Sequence, residues 1–236
     1  MAIHNRDAFL ATIAGSLGRS VRTIAERPTW QFQPQHEILK DATQDELVEV
    51  LKKQCENIHT LCYTTTKEQL PEVLTEVVEE LGSESIIQWK DERYEQQFGI
   101  GSTLNRFAET GIELYEWNEK TPAENIRQAE KAKIGIVISE MTLAESASAV
   151  LYSHKNRGRT MNFLPENIIV LIPKSTIVPR ITQAATALHK QVQRGEKVPS
   201  CILFMTGPSN SADIEMVLIV GVHGPVKARY IVVEDL

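Results

Sequence analysis

The chain has 236 residues, of which 42% are hydrophobic and 24% are charged, and its formal net charge is −6 at pH 7. This composition is typical of one globular domain with or without an appendage, and the acidic balance argues against general nucleic-acid binding, which needs a basic surface. No apolar run is long enough to span a membrane, and the first residues lack the apolar core of a signal peptide, so we expect a cytoplasmic protein.

The first forty residues predict a helix followed by an extended arm. The helix begins near Asn5 and ends near Gly18, because apolar residues between them repeat at helical spacing. The arm has no regular period, and its prolines favour extended backbone. We expect its aromatic residues, Trp30 and Phe32, to pack on the same chain, with docking on a partner subunit of a homo-oligomer as the alternative.

Strands and helices alternate through the rest of the chain, which we treat as an α/β domain of residues 41–236 after an extension of residues 1–40. Runs rich in β-branched or aromatic residues predict strands at residues 61–63, 85–89, 111–117, 134–138, 167–172, 201–205 and 228–233. Capping residues and apolar spacing predict helices that begin near residues 43, 66, 91, 122 and 176. This alternation predicts a mostly parallel sheet covered by helices, an α/β fold with an N-terminal helical extension.

The most distinctive stretch lies between the last two predicted strands. Residues 206–215 read TGPSNSADIE, and residues 221–225 read GVHGP. The apolar segment between them suits either a helix or a buried strand. We favour a short helix, because Asn210 and Asp213 have the spacing of an N-cap and its N3 acid.

This stretch is also our first candidate ligand site. A turn at a helix N-terminus presents backbone N–H groups, which favour anionic or hydroxyl-bearing ligands. Two carboxylates in the same turn disfavour a phosphate, so hydroxyls or a cationic group suit it better, unless the acids only complement the helix dipole. His223 is a candidate acid or base near neutral pH, with a structural role in its turn as the alternative. The candidate ligand-binding residues are Gly207, Ser209, Asn210, Ser211, Asp213, Glu215, Gly221 and Gly224.

A second candidate region follows the predicted strand at residues 134–138. Residues 144–148 read AESAS and offer Glu145 as a functional carboxylate, with hydroxyl groups at Ser146 and Ser148. The alternative is that Glu145 only accepts structural hydrogen bonds. Ligands of open α/β sheets bind beyond the carboxyl ends of the strands, and we expect this region and the C-terminal stretch to leave such ends and to share one pocket.

A basic turn, HKNRGR at residues 154–159, stands out in an acidic protein. The planar guanidinium groups of Arg157 and Arg159 suit a carboxylate, which they can clamp through paired hydrogen bonds. The alternative is a solvated turn without a ligand. Both arginines are therefore candidate ligand-binding residues.

The motifs TGPSNSADIE and GVHGP resemble the terminal signature of the LUD-domain family, and the resemblance extends over most of the chain. It implies a sheet of the kind found in ribose-phosphate isomerases, glucosamine-phosphate deaminases and coenzyme A transferases. It also implies a role in the oxidation of L-lactate to pyruvate beside iron–sulfur partner proteins. Because a glutamate is the nucleophile in transferases of related fold, the resemblance makes Glu145 a candidate catalytic residue.

The chain departs from the family at one position of interest. The family more often shows AETGT where residues 144–148 read AESAS, so both hydroxyls are retained but Ala147 replaces a glycine. If the glycine allows a ligand to approach closely, that role is in doubt in this chain.

Nothing in the sequence indicates a metal or a cofactor held by this chain. Its cysteines form no Cys-x-x-Cys pair and number three, whereas an iron–sulfur cluster usually needs four thiolates. The one Gly-x-Gly sequence lacks the third glycine of a dinucleotide fingerprint, and no His-rich spacing suggests zinc. We expect a non-redox component of lactate utilisation with an unknown small-molecule ligand. The alternatives are a free-standing transferase or ligase-like enzyme that uses Glu145, and a metabolite sensor.

Overall fold

The computed structural model describes residues 4–22, 24, 28–213 and 216–236. By its contacts the chain divides into two compact units, Met1–Gln35 and His36–Leu236. None of the helices in the described ranges is long and apolar enough to cross a membrane.

The N-terminal unit contains the predicted helix, α1 (Arg6–Ser16). The helix ends where Gly18 adopts a φ of +63° and the N–H of Arg19 donates to the carbonyl oxygen of Ala14 over 3.0 Å. A glycine with positive φ is a common helix terminator, because it has no Cβ to clash with the backbone. In the arm that follows, the side chains of Trp30 and Phe32 are exposed.

The larger unit alternates strands and helices as the sequence predicts. Its strands are β1 (Thr60–Thr65), β2 (Ser85–Gln88), β3 (Glu113–Glu116), β4 (Ile134–Ile138), β5 (Met141–Leu143), β6 (Ser148–Tyr152), β7 (Asn167–Pro173), β8 (Ile177–Val178), β9 (Ile202–Thr206), β10 (Asn210–Ser211), β11 (Ile219–Val220) and β12 (Lys227–Val233). Its helices are α2 (Gln44–Asn57), α3 (Leu70–Leu81), α4 (Arg93–Gln96), α5 (Gly101–Glu109), α6 (Pro122–Lys131) and α7 (Ile181–Gln193). The predicted elements are confirmed except the short helix after Asn210, and the sequence patterns do not predict α5, β5, β6, β8 or β10. Strand β11 lies in the apolar segment that suits either a helix or a buried strand.

Six strands form the main sheet, in the order β1-β12-β7-β4-β2-β3. Each neighbouring pair is parallel. Strands β4 and β7 lie in the middle of the sheet, and all of their residues are buried, as expected when both faces of a sheet are covered. The prediction of an α/β fold with a mostly parallel sheet is therefore confirmed.

Helix α2 shows how local sequence forms the helical layer. The side-chain oxygen of Thr43 accepts a hydrogen bond from the N–H of Glu46 (3.3 Å), and the Glu46 carboxylate accepts one from the N–H of Thr43 (2.7 Å). This is the predicted capping box, which satisfies two backbone donors at the start of the helix. Leu47, Leu51 and Cys55 then follow at helical spacing and are buried, so this face of α2 packs into the core.

Four short strands form a second sheet, in the order β8-β5-β6-β9. Strands β5 and β6 form a hairpin, and β9 pairs antiparallel with β6, with Ser148 opposite Thr206. Strand β8 adds to the other side of β5 in a parallel pairing. The residues of β6 from Ser148 to Leu151 are buried, and several belong to the main hydrophobic core. The second sheet is thus part of the core of this unit.

The side chain of Tyr230 links the two sheets. It lies in β12, an interior strand of the main sheet, and is completely buried. Its hydroxyl donates toward the carbonyl oxygens of Ala147 (3.1 Å) and Met205 (3.2 Å) and accepts from the N–H of Gly207 (3.2 Å). Burial raises the pKa of this hydroxyl, so it remains a neutral donor. One hydroxyl therefore binds backbone groups at the start of β6 and at the end of β9.

We predict that Tyr230→Phe destabilises the protein by about 1–3 kcal/mol, because it leaves buried backbone groups without partners. Chemical denaturation followed by circular dichroism measures this. Tyr152→Phe is the matched control, because the Tyr152 side chain is half-buried and its hydroxyl makes no hydrogen bond among the described residues. Equal stability of the two variants would contradict the linking role of Tyr230.

Candidate functional site

The two sequence regions singled out as candidates meet in the second sheet. Because Ser148 pairs with Thr206 across β6 and β9, their hydroxyl oxygens lie 2.6 Å apart, and the Ser146 hydroxyl lies 2.8 Å from that of Ser148. Three hydroxyl groups thus form a continuous hydrogen-bonded row. At either end, such a row can accept a hydrogen bond from a polar ligand or donate one to it.

Two backbone positions beside this row have positive φ. Ala147 has a φ of +50° and is buried, a conformation that favours glycine. Backbone conformation alone would thus favour a glycine at this position, without a ligand. Gly207 has a φ of +67°, and a Cβ there would lie 2.8 Å from the carbonyl oxygen of Ile58 and from the hydroxyl oxygen of Thr60. Only glycine fits this turn.

Glu145 lies in the turn between β5 and β6 and is held by Arg180. The Nε of Arg180 donates to a carboxylate oxygen of Glu145 over 2.8 Å, and the two side chains are 21% and 40% exposed. The N–H of Glu145 also donates to the carbonyl oxygen of Pro179 (3.0 Å), so backbone and side chain both bind the start of α7. The carboxylate is accessible, but its charge is shared with a guanidinium, which reduces its strength as a nucleophile.

The predicted short helix after Asn210 is wrong. In the described residues on either side of 214–215, β10 and β11 pair as an antiparallel ladder, with Asn210 opposite Val220 and Ser211 opposite Ile219. The β-branched residues of β11 suit this pairing better than a helix. The ladder is closed where the N–H of Gly221 donates to the carbonyl oxygen of Ser209 (2.8 Å).

The polar side chains expected to cap that helix stabilise turns instead. The Asn210 amide donates to the carbonyl oxygen of Pro208 (3.2 Å), and the Ser211 hydroxyl donates to the carboxylate of Asp213 (3.1 Å) and accepts from its N–H (3.3 Å). These local bonds compete with helix formation. Glu215, the other acid of the proposed site, lies outside the described residues.

The GVHGP motif folds back on Ser209. The Ser209 hydroxyl accepts from the N–H of His223 (3.2 Å), and the Ser209 N–H donates to the carbonyl oxygen of Pro225 (2.9 Å). A Cβ on Gly224 would lie 3.2 Å from the Cβ of Ser209, while Gly221 has a φ of +83°. Both glycines are thus explained by turn geometry, and the His223 side chain is exposed.

The C-terminal stretch lies at the amino edge of the main sheet. The turn at Gly207 packs against Ile58 and Thr60, where β1 begins, and the N–H of Val226 donates to the carbonyl oxygen of Glu166 over 2.7 Å, just before β7. The expectation that both candidate loops follow carboxyl ends of the parallel strands is therefore wrong for this one. Strand β9, which precedes it, belongs to the antiparallel part of the second sheet.

The carboxyl edge carries a cluster of four charged residues instead. Arg93 contacts the carboxylates of Asp91 (2.7 Å) and Glu140 (2.9 Å), and Arg157 contacts the same two carboxylates. Asp91 and Glu140 follow the neighbouring strands β2 and β4. Strands β2 and β4 are neighbours, but the next main-sheet strand after β2 is β3, on one side, and the next one after β4 is β7, on the other side. The cluster therefore fills the crevice between two connections that run in opposite directions along the sheet. Open α/β sheets usually bind ligands at such a crevice.

Sequence analysis identified one member of this cluster, Arg157, as a candidate carboxylate clamp. The carboxylates that its guanidinium contacts belong to Asp91 and Glu140 of the same chain. The position of these two acids at the carboxyl edge could be predicted from the sequence, because each follows a predicted strand of the parallel sheet. The position of Arg93 could not be predicted in this way, since it depends on the short helix α4.

The cluster perturbs the acidity of Asp91, whose side chain is 8% exposed. Burial by itself would raise the pKa of Asp91, but hydrogen bonds and charge from Arg93, together with the charge of Arg157, lower that pKa below its ordinary value. The carboxylate form therefore contributes to folding stability.

The candidate residues do not gather at one point. Ser146 and Ser148 meet Thr206, and Asp213 belongs to the hairpin that follows. No hydrogen bond or ion pair among the described residues joins Glu145 to Asp213 or to His223. Within the same ranges, no three His, Cys, Asp or Glu side chains are placed to hold a metal ion.

The comparisons with known proteins give one family. Residues 48–233 match the model of the LUD domain. The chain is 50% identical over 235 residues to lactate utilization protein C of Geobacillus sp. (strain WCH70), covering 99% of this chain and 97% of that protein. It is 48% identical to lactate utilization protein C of Oceanobacillus iheyensis, covering 99% and 100%, and 47% identical to that of Macrococcus caseolyticus, covering 99% and 97%.

A solved structure shares the fold. The crystal structure of a DUF162 family protein from Deinococcus radiodurans superposes with a TM-score of 0.55 at 15% sequence identity, covering 81% of this chain and 99% of that one. At this identity the likeness concerns the arrangement of strands and helices alone.

We predict that Gly207→Ala destabilises the protein by about 2–4 kcal/mol, because positive φ and steric overlap both act against a methyl group. Thermal and chemical unfolding measure this. Gly195→Ala is the matched control, since Gly195 has a φ of +72° but no heavy atom within 4 Å of an added Cβ. The Gly195→Ala variant should lose only about 1 kcal/mol of unfolding free energy, which is the cost of positive φ for a residue with a Cβ. Equal losses would show that the contact with Ile58 and Thr60 is not restrictive.

We predict that Asp91→Asn lowers the free energy of unfolding by about 1–3 kcal/mol near neutral pH, because it removes a buried carboxylate that pairs with the partly buried guanidinium groups of Arg93 and Arg157. The pKa of Asp91 is lowered in the folded state, so its contribution is present above the unfolded value of about 3.9 and is lost as pH falls through the folded value. The difference between variant and wild type should therefore shrink in acid. Urea unfolding across this pH range tests it, with the exposed Asp41→Asn as control. A difference that is independent of pH would contradict the ionic contribution.

Proposed function

Because this chain belongs to the LUD domain family, we propose that it takes part in lactate utilisation as a component without a redox centre of its own, beside iron–sulfur partner proteins. The observation that carries the proposal is similarity over nearly the whole chain to relatives that bear the name lactate utilization protein C. Similarity at this level and coverage supports a shared pathway role rather than a shared fold alone.

The division of labour follows from the chemistry of the reaction. Oxidation of L-lactate to pyruvate removes two electrons and two protons from the substrate, so an electron acceptor is required. This chain has three cysteines, fewer than the four thiolates that an iron–sulfur cluster usually needs. We therefore assign electron transfer to partner proteins, and ligand or partner recognition to this chain.

We propose that recognition uses the surface around the turn of Glu145 and the C-terminal hairpin. The exposure of His223 and of the apolar side chains of Val217, Leu218 and Val222 supports this, because neighbouring exposed apolar residues beside polar ones are typical of protein interfaces. The acids assigned to this surface are Glu145, Asp213 and Glu215.

The direct test is to mix the purified protein with both iron–sulfur partner proteins and measure the oxidation of L-lactate. We predict that leaving this protein out greatly reduces the rate, and that adding it back restores the rate. An undiminished rate without it would contradict the proposal.

Substitution of Glu145 separates this role from that of a free-standing transferase. We predict that Glu145→Gln weakens partner binding, measured by co-purification, by at most about tenfold, and destabilises the fold by at most about 1 kcal/mol, because the pair with Arg180 is partly exposed. Arg180→Gln is the matched control, since it breaks the same ion pair and leaves the carboxylate. Loss of activity in the Glu145 variant alone, with folding and partner binding intact, would favour a glutamate nucleophile instead.

A further inference from the structure

A basic groove runs from the end of β6 to the start of β9. We use this name for three neighbouring cavities of about 450, 500 and 370 Å³. The first two share His154 and Arg157, and the last two share Arg159. The basic residues that line the groove are His154, Lys155, Arg157, Arg159 and Lys197, and no described Asp or Glu lines it.

Within the groove, Arg159 carries the available guanidinium group. Arg157 is paired with Asp91 and Glu140, and Lys155 is paired with Glu119. Arg159 makes no ion pair with any described residue, unlike these two neighbours. In a chain whose net charge is −6, an uncompensated guanidinium in a concave surface favours an anion.

Two buried polar groups beside Arg159 have no partner. The hydroxyl oxygen of Thr160 and the side-chain carbonyl oxygen of Asn162 make no hydrogen bond, and Asn162 is only 5% exposed. Both residues line the 370 Å³ cavity together with Arg159. A buried group without a partner costs about 1–3 kcal/mol, and because both atoms are almost inaccessible to solvent, a ligand in the cavity binds them only when the two side chains rotate toward it.

The same cavity has an apolar wall formed by Phe163, Cys201 and Leu203. A guanidinium, a hydroxyl and a side-chain amide that can present its NH₂ group suit a carboxylate. The apolar lining residues suit a short apolar substituent. The volume of about 370 Å³ is at the low end of the range for ligand pockets, about 300–1,000 Å³, which favours a small molecule.

We propose that this cavity binds a small carboxylate with a short apolar substituent, of the 2-hydroxy or 2-oxo acid class to which lactate and pyruvate belong. Arg159 binds the carboxylate, Thr160 and Asn162 bind its second oxygen or the neighbouring oxygen atom, and Leu203 contacts the methyl group. The choice of acid rests on the proposed function, whereas the anionic character of the ligand rests on the cavity itself.

The experiment titrates the full-length protein with L-lactate, with pyruvate and with the uncharged lactamide, and follows amide chemical shifts by NMR. We expect lactate or pyruvate to shift the signals of residues 159–163, and lactamide to leave them unchanged. We expect Arg159→Met to weaken binding about 10- to 100-fold, the effect of losing a hydrogen bond to a charged group. Arg127→Met, which removes an exposed guanidinium on α6, should bind as wild type does.

Thr160→Val adds a readout that a purely structural role would not produce. Because the Thr160 hydroxyl has no partner in the fold, its removal should leave the unfolding midpoint unchanged or raise it, while binding weakens. Reduced stability with unchanged binding would overturn the assignment of this hydroxyl to the ligand.

The outcomes also separate this inference from the proposed function. Binding at residues 159–163 without any effect of the protein on lactate oxidation would support the cavity and overturn the pathway role. A protein required for lactate oxidation whose residues 159–163 respond to neither acid would overturn the inference and leave the pathway role standing. Equal binding by wild type and Arg159→Met, or equal binding of lactamide, would also overturn it.

Discussion

The hydroxyl of Tyr230 sets the constraint on which the larger unit depends. It lies in an interior strand of the main sheet, where it is completely buried, and its partners lie in the second sheet and in the turns beside it. Those partners are the backbone groups of Ala147, Met205 and Gly207, which fix the ends of β6 and β9. Once these ends are fixed, the hydroxyls of Ser148 and Thr206 are brought together, and the C-terminal hairpin starts from a defined place.

The main sheet could be predicted from the sequence because its information is local. Runs such as β4 and β7 are apolar throughout, and the capping box of α2 uses residues three positions apart. Of the second sheet the sequence predicts only β9, because β8 has two residues and β5 has three. Strands of this length are stable only through pairing with distant neighbours. The short helix after Asn210 failed for the same reason, since a cap-like spacing was outweighed by pairing with β11.

The candidate site was only partly predictable, for a related reason. The sequence indicates Ser146, Ser148 and the stretch after Met205, and the structure adds that they meet. It does not indicate that Arg157 is occupied by two carboxylates while Arg159 is not, because ion pairing depends on which loops lie together. Nor can it indicate that the side chains of Thr160 and Asn162 lack partners, since a missing hydrogen bond is visible only in the folded chain.

The four-residue cluster at the carboxyl edge has a consequence for which metabolites this fold can select. Asp91 and Glu140 are tethered beside Arg93 and Arg157, so they compete for these guanidinium groups at the high effective concentration of an intramolecular partner. A free organic acid that displaced them would leave the buried carboxylate of Asp91 without its partners. The crevice that related sheets offer to ligands is thus filled by the chain's own acids, whereas Arg159 in the basic groove has no ion pair with a described residue and remains free to bind an external acid.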